Sequence, residues 1–300
     1  MFTTETPLTG ILRAHEAWLE DPSAGRQADL TGMTLNDSNL AGVILRQAIL
    51  SGATLLDANL AGADLSGAKM ERADLQRANL AGADLSGSTL THASLAGAWL
   101  HGANLSEIIA AGATFRKARL GNARMIDASV NDASFVEVFA PGVSFHQSRF
   151  YDVDFSDSHL EGAVFYHTRL QHARFQNIAA QAINFSGSKV DHCNFARAAL
   201  AEAKFIRCEL IQCVFRHADL RDADFRECRM RGGDFSAAQL QGARFAEAHL
   251  IMADFRGGNL TGARELTQDQ LLKALTDEST ILPNGARGPF LRYSGAEKPK

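Results

Sequence analysis

An apolar residue stands at every fifth position of this 300-residue chain from Leu30 to Leu260. Of these 47 positions, 39 are Leu or Phe, and the others are Met, Val or Ala. A period of five matches neither an α-helix, with 3.6 residues per turn, nor a straight strand, in which side chains alternate with a period of two. The chain must therefore change direction once in each repeat, which predicts a corner every five residues.

The residues around each apolar centre also follow a pattern, as in residues 58–62, Ala-Asn-Leu-Ala-Gly. The residue two before the centre is nearly always small, and the residue between them is commonly polar. Alternation in a short extended segment puts the centre and the small residue inside and the polar residue outside. The pair after the centre often contains Gly, which suits a tight turn.

Tracts such as residues 58–62 and residues 63–67, Ala-Asp-Leu-Ser-Gly, resemble the pentapeptide repeat family, and the resemblance covers about three quarters of the chain. It implies an all-β fold: a right-handed quadrilateral parallel β-helix (a solenoid) with four repeats, or twenty residues, in each coil. With parallel strands about 4.8 Å apart, the repeats would form a rod of roughly 11 to 12 coils.

Two further patterns support such a coil. Phe occupies every second centre from Phe135 to Phe255, which places the Phe side chains on two opposite faces. Where the centre shrinks to Ala, the inward residue two before it grows, as in the pairs Ile108 and Ala110, Val138 and Ala140, and Ile178 and Ala180. Close-packed interiors favour such exchange of volume, so both positions should share one core.

The repeats divide the chain into three segments: a capping segment over residues 1–29, the β-helix over 30–264, and a capping helix with an irregular tail over 265–300. A solenoid needs caps because it exposes its core at both ends. Apolar residues at helical spacing predict a helix from Leu8 to Glu20, with Trp18 as its main buried anchor.

At the other end, Thr267 and Gln270 match a capping box and are followed by Leu271, Leu272 and Leu275, which predicts a short α-helix that closes this end. The tail beyond Leu282 is rich in Gly and Pro and is expected to be irregular and partly mobile. Its apolar residues either dock on the rod or pair two chains, so a homodimer through the C-terminal end is possible. These residues are Phe290, Leu291 and Tyr293.

The bulk composition excludes several classes of protein. The formal net charge of −4 predicts no direct binding of nucleic acid. No apolar run has membrane-spanning length and no signal segment opens the chain, so we expect a cytoplasmic protein without membrane contact. The four cysteines, all at small inward positions, are expected to be free buried thiols. They are Cys193, Cys208, Cys213 and Cys228.

No catalytic, cofactor-binding or metal-binding residues emerge from the sequence, and we expect no enzymatic activity and no cofactor. His192 beside Cys193, and Cys213 near His217, suggest a metal site at first sight. The repeat pattern argues against it, because the thiols face inward and the histidines lie on outer turn positions, whereas zinc needs converging ligands.

Residues twenty apart should stack in columns on one face, and two columns are unusual. The first carries Trp99, Arg119, Phe139 and His159 at sites that are polar elsewhere. Exposed aromatic residues beside Arg are typical of interaction hot spots. The alternative is that Phe139 covers a thin part of the core near Ala140, and that Trp99 merely lies along the surface.

The second column is mainly basic and carries Arg149, Arg169, Lys189 and Arg229, together with Glu209 and His249. Like charges in adjacent strands repel each other, so this column either serves an anionic partner or is balanced by nearby acids such as Asp152 and Asp191.

These features predict a non-catalytic scaffold or adaptor, a rigid rod that binds another protein through its side columns or its end. The resemblance implies two alternatives. Some pentapeptide repeat proteins protect DNA gyrase and related topoisomerases by mimicking DNA, and others are accessory components of bacterial secretion systems. The near-neutral charge of this chain fits the DNA mimic poorly, and no diagnostic motif supports the secretion role.

Overall fold

A computed structural model of the chain describes residues 7–299. The chain forms two compact units, Met1–Val138 and Phe139–Lys300, which are described separately below. The first unit contains helix α1 (Pro7–Glu20) and strand β1 (Ser129–Asn131). The second contains β2 (Arg149–Tyr151), β3 (Arg169–Gln171), β4 (Lys189–Asp191) and helix α2 (Gln268–Lys273).

Both units are built from parallel ladders in which the residue before an apolar centre pairs with the residue twenty positions later. In the first unit, Thr34 pairs with Thr54, which pairs with Asp74. In the second unit, β2, β3 and β4 are parallel neighbours, with Arg149 opposite Arg169 and Arg169 opposite Lys189. This register confirms the predicted fold, a right-handed quadrilateral parallel β-helix with four five-residue repeats per coil.

Each corner is a tight turn that directly follows an apolar centre. At the first corner, the N–H of Met33 donates to the carbonyl of Leu30 at 3.0 Å. The residue two after the centre has a positive φ, 65° at Gly32 and 57° at Asp37. A left-handed residue at this position is what a type II turn requires, and it turns the chain from one side of the coil to the next once per repeat.

The core of each unit is made of the centres and the small residues two before them, as the pattern predicts. In the second unit the Phe side chains form two columns. Phe155 and Phe175, one coil apart, stack with centroids 4.9 Å apart and planes 3° apart. Phe165 meets Phe175 edge to face at 5.7 Å, so the two columns contact each other through the middle of the coil. Ile178 and Ala180 are both buried, which is the predicted exchange of volume.

Helix α1 caps the first unit, but its buried anchor is not Trp18 as the sequence predicts. His15 is completely buried, and its Nδ1 accepts a hydrogen bond from the N–H of Ala28 at 3.0 Å. Trp18 is half-buried and stacks on His15 with centroids 5.6 Å apart. Imidazole takes the inner place because it can accept this hydrogen bond, whereas the indole N–H can only donate.

Helix α2 begins with the predicted capping box. Thr267 accepts from the N–H of Gln270, and the Gln270 side chain accepts from the N–H of Thr267. Leu271 is buried, whereas Leu272 is 39 % exposed. Leu275 lies beyond the helix and pairs with Asp254 in a ladder, so the chain rejoins the β-helix after α2, although the spacing of this pair is no longer twenty.

The tail packs against this end of the second unit. The N–H of Phe290 donates to Thr276 Oγ1 at 2.9 Å, and the N–H of Tyr293 donates to Gln268 Oε1 at 3.1 Å. Phe290 is buried, so it docks on the β-helix. Leu291 and Tyr293 are 65 % and 82 % exposed, which leaves both of them free to contact another molecule.

Candidate partner-binding surfaces

The first column begins, in the first unit, as a ladder of asparagines. Asn59 Nδ2 donates to Asn39 Oδ1 at 3.0 Å, and Asn79 Nδ2 donates to Asn59 Oδ1 at 3.1 Å. The next rung is Trp99, which pairs with Arg119. The ladder was missed by the sequence analysis, although the recurrence of Asn at a spacing of twenty is a signal that could have found it.

Trp99 and Arg119 form an exposed cation–π pair. The Arg119 guanidinium carbon lies 4.7 Å from the centre of the Trp99 ring, within the distance at which such a pair is attractive. Trp99 remains 51 % exposed, so it presents apolar area to solvent while the Arg119 guanidinium lies over its ring. Large, ordered aromatic area beside a cation is the composition that protein interfaces favour.

In the second unit, the same column contains Phe139 and His159. Their rings lie 6.0 Å apart, and His159 Nδ1 is 3.3 Å from Glu161 Oε1. Phe139 is 51 % exposed, so half of its surface does not cover the core. The column therefore contains two pairwise side-chain contacts. Trp99 contacts Arg119 in the first unit, and Phe139 contacts His159 in the second.

The basic column lies on β2, β3, β4 and the rungs that follow them in the second unit. Glu209 is placed between Lys189 and Arg229, and its two carboxylate oxygens lie 3.4 Å from one nitrogen of each. Glu209 thus forms ion pairs with this part of the column, and the charge of Lys189 also acts on Asp191, one of the two acids that the alternative interpretation named. Burial, with repulsion from Glu209 as the second cause, raises the pKa of Asp191.

Arg149 and Arg169 are different from the rest of the column. Both are exposed, and they face each other in adjacent strands, with Lys189 on the other side of Arg169. Within residues 7–299, neither forms an ion pair shorter than 4.0 Å, unlike Lys189 and Arg229.

Histidine and tyrosine side chains flank the basic column on both corners, and the sequence analysis did not identify them. On the corner before the column, His146 stacks on Tyr166 at 5.4 Å, and Tyr166 contacts His167 at 4.0 Å. On the corner after it, His172 contacts Tyr151 at 5.8 Å and His192 at 5.2 Å. Tyr151 ends β2 and the other residues lie at the corners, outside the slots in which residues twenty apart define the two columns.

The four cysteines are free and buried. Cys208 Sγ and Cys213 Sγ donate to the carbonyls of Phe185 and Val190, both at 2.8 Å. Burial raises the pKa of Cys193 to about 12. The thiolate is the reactive form of cysteine, and a raised pKa makes it scarce at neutral pH. The buried thiols therefore act as packing groups. His192 is exposed and its neighbour Cys193 is buried, so the two side chains point to opposite sides of the wall.

Two negative findings apply to residues 7–299. In this part of the chain, no three His, Cys, Asp or Glu side chains converge in a way that could hold a metal ion. None of its helices combines the length and the apolar character needed to cross a membrane.

Two sequence models of protein families match the chain. One, described as a pentapeptide repeat region, matches residues 140–205 and 198–271. The other, described as pentapeptide repeats, matches residues 26–55, 38–77 and 68–106. The chain belongs to the pentapeptide repeat family. No curated protein matches this pentapeptide repeat protein significantly.

Among solved structures, the protein is similar to HetL, a pentapeptide repeat protein involved in heterocyst differentiation regulation from Nostoc sp. strain PCC 7120. The identity is 24 % over 90 % of this chain and 97 % of HetL, with a TM-score of 0.29. A protein of the Arabidopsis thaliana thylakoid lumen is 30 % identical over 33 % of this chain and 68 % of its own, with a TM-score of 0.32. QnrB1, a plasmid-mediated fluoroquinolone resistance protein, is 16 % identical over 61 % and 91 % of the two chains, with a TM-score of 0.27.

Proposed function

We propose that this pentapeptide repeat protein is a non-catalytic scaffold that binds another protein through exposed columns of its β-helical units. The observation that carries the proposal is the Trp99–Arg119 pair. A Trp side chain in the polar slot of a repeat leaves a large apolar area in water, and the guanidinium of the neighbouring Arg119 packs on that ring and restrains it. Such an ordered ring loses little further conformational entropy when a partner covers it.

A photo-crosslinking amino acid placed at position 99 tests this proposal in cells of the source organism. The matched control is position 109, because Ile109 is 49 % exposed and lies ten residues away, on the opposite side of the coil. We expect one partner protein to crosslink at position 99 and not at position 109, and Trp99→Ala to reduce its co-purification. Equal crosslinking at both positions would count against Trp99 as a binding residue.

The arrangement of charges favours a scaffold over a DNA mimic. A mimic needs a continuous acidic surface, but in the second unit several partly buried acids are paired with arginine. Asp219, Asp224 and Asp254 each lie 2.6 Å from the guanidinium of the Arg two residues later. Each pair cancels its own charge, so these acids add little to a long-range negative field.

We further propose that the end formed by α2 and the tail pairs two copies of the chain. Leu291 and Tyr293 support this proposal, because both are held on an ordered tail and are mostly exposed. Leu291→Ser combined with Tyr293→Ser should convert a dimer into a monomer in analytical ultracentrifugation. A wild-type protein that is monomeric at all concentrations measured would refute it.

A further inference from the structure

We propose that Arg149 and Arg169 form a docking site for a short acidic segment of a partner protein, with Tyr151 and Tyr166 as flanking apolar contacts. The proposal rests on the scaffold function given above, but it uses a different surface from Trp99.

The neighbouring rungs of the same column show what is missing at Arg169. Glu209 lies between Lys189 and Arg229, and its carboxylate reaches both cations at 3.4 Å. Arg169 occupies the equivalent place between Arg149 and Lys189, but it is a third cation. Like charges on adjacent strands destabilise a sheet, so the chain carries a repulsion here that one carboxylate from outside would relieve.

The chemistry of the two arginines determines the type of ligand. Adjacent parallel strands are about 4.8 Å apart, so the two guanidinium groups can hold one carboxylate between them or two neighbouring carboxylates. Arg binds carboxylates with paired hydrogen bonds. Both side chains are exposed, so a ligand can reach them from solvent.

Tyrosines stand on either side of this pair and provide apolar contact. Tyr151 is 45 % exposed and Tyr166 is 37 % exposed. Each is held by a histidine, Tyr151 by His172 and Tyr166 by His146. Ordered tyrosines beside arginines are the side chains that most often carry binding energy at protein interfaces, so a segment with acidic and apolar residues fits this surface.

The size and setting of the basic group favour a peptide over a nucleic acid. Three successive cations are followed by Glu209, and Asp152 directly follows β2 while Asp191 ends β4. The group can therefore neutralise only two or three anions, whereas proteins that bind DNA tightly contact about 6–10 phosphates. The formal net charge of −4 also gives no long-range attraction for a polyanion.

Fluorescence anisotropy tests the proposal on the full chain. The probe is a short, fluorescently labelled peptide in which glutamate occupies every second position and one tryptophan is included. We expect binding that weakens with added salt, and an affinity at least about tenfold lower for Arg149→Glu combined with Arg169→Glu. The control is Arg197→Glu combined with Arg72→Glu, which changes the net charge equally at exposed sites elsewhere and should bind as the wild type does.

Thermal unfolding gives a second, independent readout. Arg169→Glu alone should raise the melting temperature, because it recreates between Arg149 and Lys189 the arrangement that Glu209 has in the next rungs, while it abolishes peptide binding. A lower melting temperature would show that no repulsion is stored there and would overturn the proposal.

Three binding results would also overturn the proposal: no binding to the wild type at about 1 mM peptide, equal loss in the control variant, or tighter binding of an oligothymidylate than of the peptide. The proposed function fails on a different result, the absence of a partner at position 99, so the two failures are distinguishable.

Discussion

Phe195 and Phe215 stack one coil apart, with ring centroids 4.8 Å apart and planes 3° apart. Phe235 continues the stack beyond Phe215 at the same distance, and Phe205 contacts Phe215 edge to face at 5.6 Å. The spacing of parallel strands, about 4.8 Å, thus sets the spacing of the rings. Phe215 therefore contacts aromatic rings on three sides.

Phe215→Ala should lower the free energy of unfolding by about 3–5 kcal/mol, because the cavity that it leaves is lined by rigid rings. The measurement is chemical denaturation followed by circular dichroism. Arg216→Ala is the control, since the exposed Arg216 pairs with Asp234 and Ser236 at the surface and its loss should change stability by less than about 1 kcal/mol. Similar losses in the two variants would contradict the inside–outside assignment.

The β-helix could be predicted from sequence because the same local residue pattern recurs in repeat after repeat. A small residue, a polar residue and a large apolar residue determine which side chains face inward, and the spacing of twenty then places Trp99 beside Arg119. The ends do not repeat, so their details were harder to predict. Helical periodicity identified the inner face of α1, but not that the imidazole of His15 takes the hydrogen bond from Ala28.

The candidate surfaces were predictable only in part, for a geometric reason. Residues twenty apart in the sequence occupy equivalent positions in successive coils, and comparing them identified Arg149 and Arg169 as one column. The aromatic contacts beside them also join residues twenty-one apart, such as Tyr151 and His172, because side chains at a corner splay sideways. Which acid balances the column also depends on side-chain reach, and this is why Glu209, and not Asp191, contacts Lys189.

The corner positions offer a test of backbone strain. Ala237 has a φ of 57°, a left-handed conformation that costs an L-residue about 1–2 kcal/mol. Gly257, at the same corner one coil later, adopts a φ of 68° without that cost. Ala237→Gly should therefore raise stability by about 0.5–1 kcal/mol, after the greater entropy loss of Gly is counted.

Ala238→Gly is the matched control, because the adjacent Ala238 is fully buried and its methyl group packs in the core. This change should destabilise the protein by about 1 kcal/mol. Melting temperatures of the two variants should move in opposite directions, and a decrease in both would show that the corner is not strained.

The buried thiols should be inert in the folded protein. Burial raises the pKa of Cys193 to about 12 and that of Cys213 well above its ordinary value, so the reactive thiolate is scarce at neutral pH. Ellman's reagent should modify none of the four cysteines in native buffer and all four in denaturant. Rapid modification of any of them without denaturant would place that thiol at the surface.

His15 makes the first cap sensitive to acid. Its burial lowers its pKa, while the backbone of Arg46 and the charge of Glu16 act in the opposite direction and do not cancel the effect. An unfolded His has a pKa of about 6.5, so on acidification the unfolded chain takes up the proton first. The stability that neutral His15 contributes is complete above about pH 6.5 and is lost as the pH falls through the lower pKa of the folded state.

His15→Asn should remove this loss, because the Asn side-chain oxygen can still accept from the N–H of Ala28 but cannot be protonated in this range. Melting temperatures measured from about pH 7.5 to about pH 5 should fall less in the variant than in the wild type. His101→Asn, at an exposed turn position of the same unit, should keep the wild-type dependence. Protonation of His15 Nδ1 would break the hydrogen bond that it accepts from the N–H of Ala28 in the first coil. If the melting temperatures of His15→Asn and the wild type declined in parallel, the acid sensitivity would have to arise elsewhere.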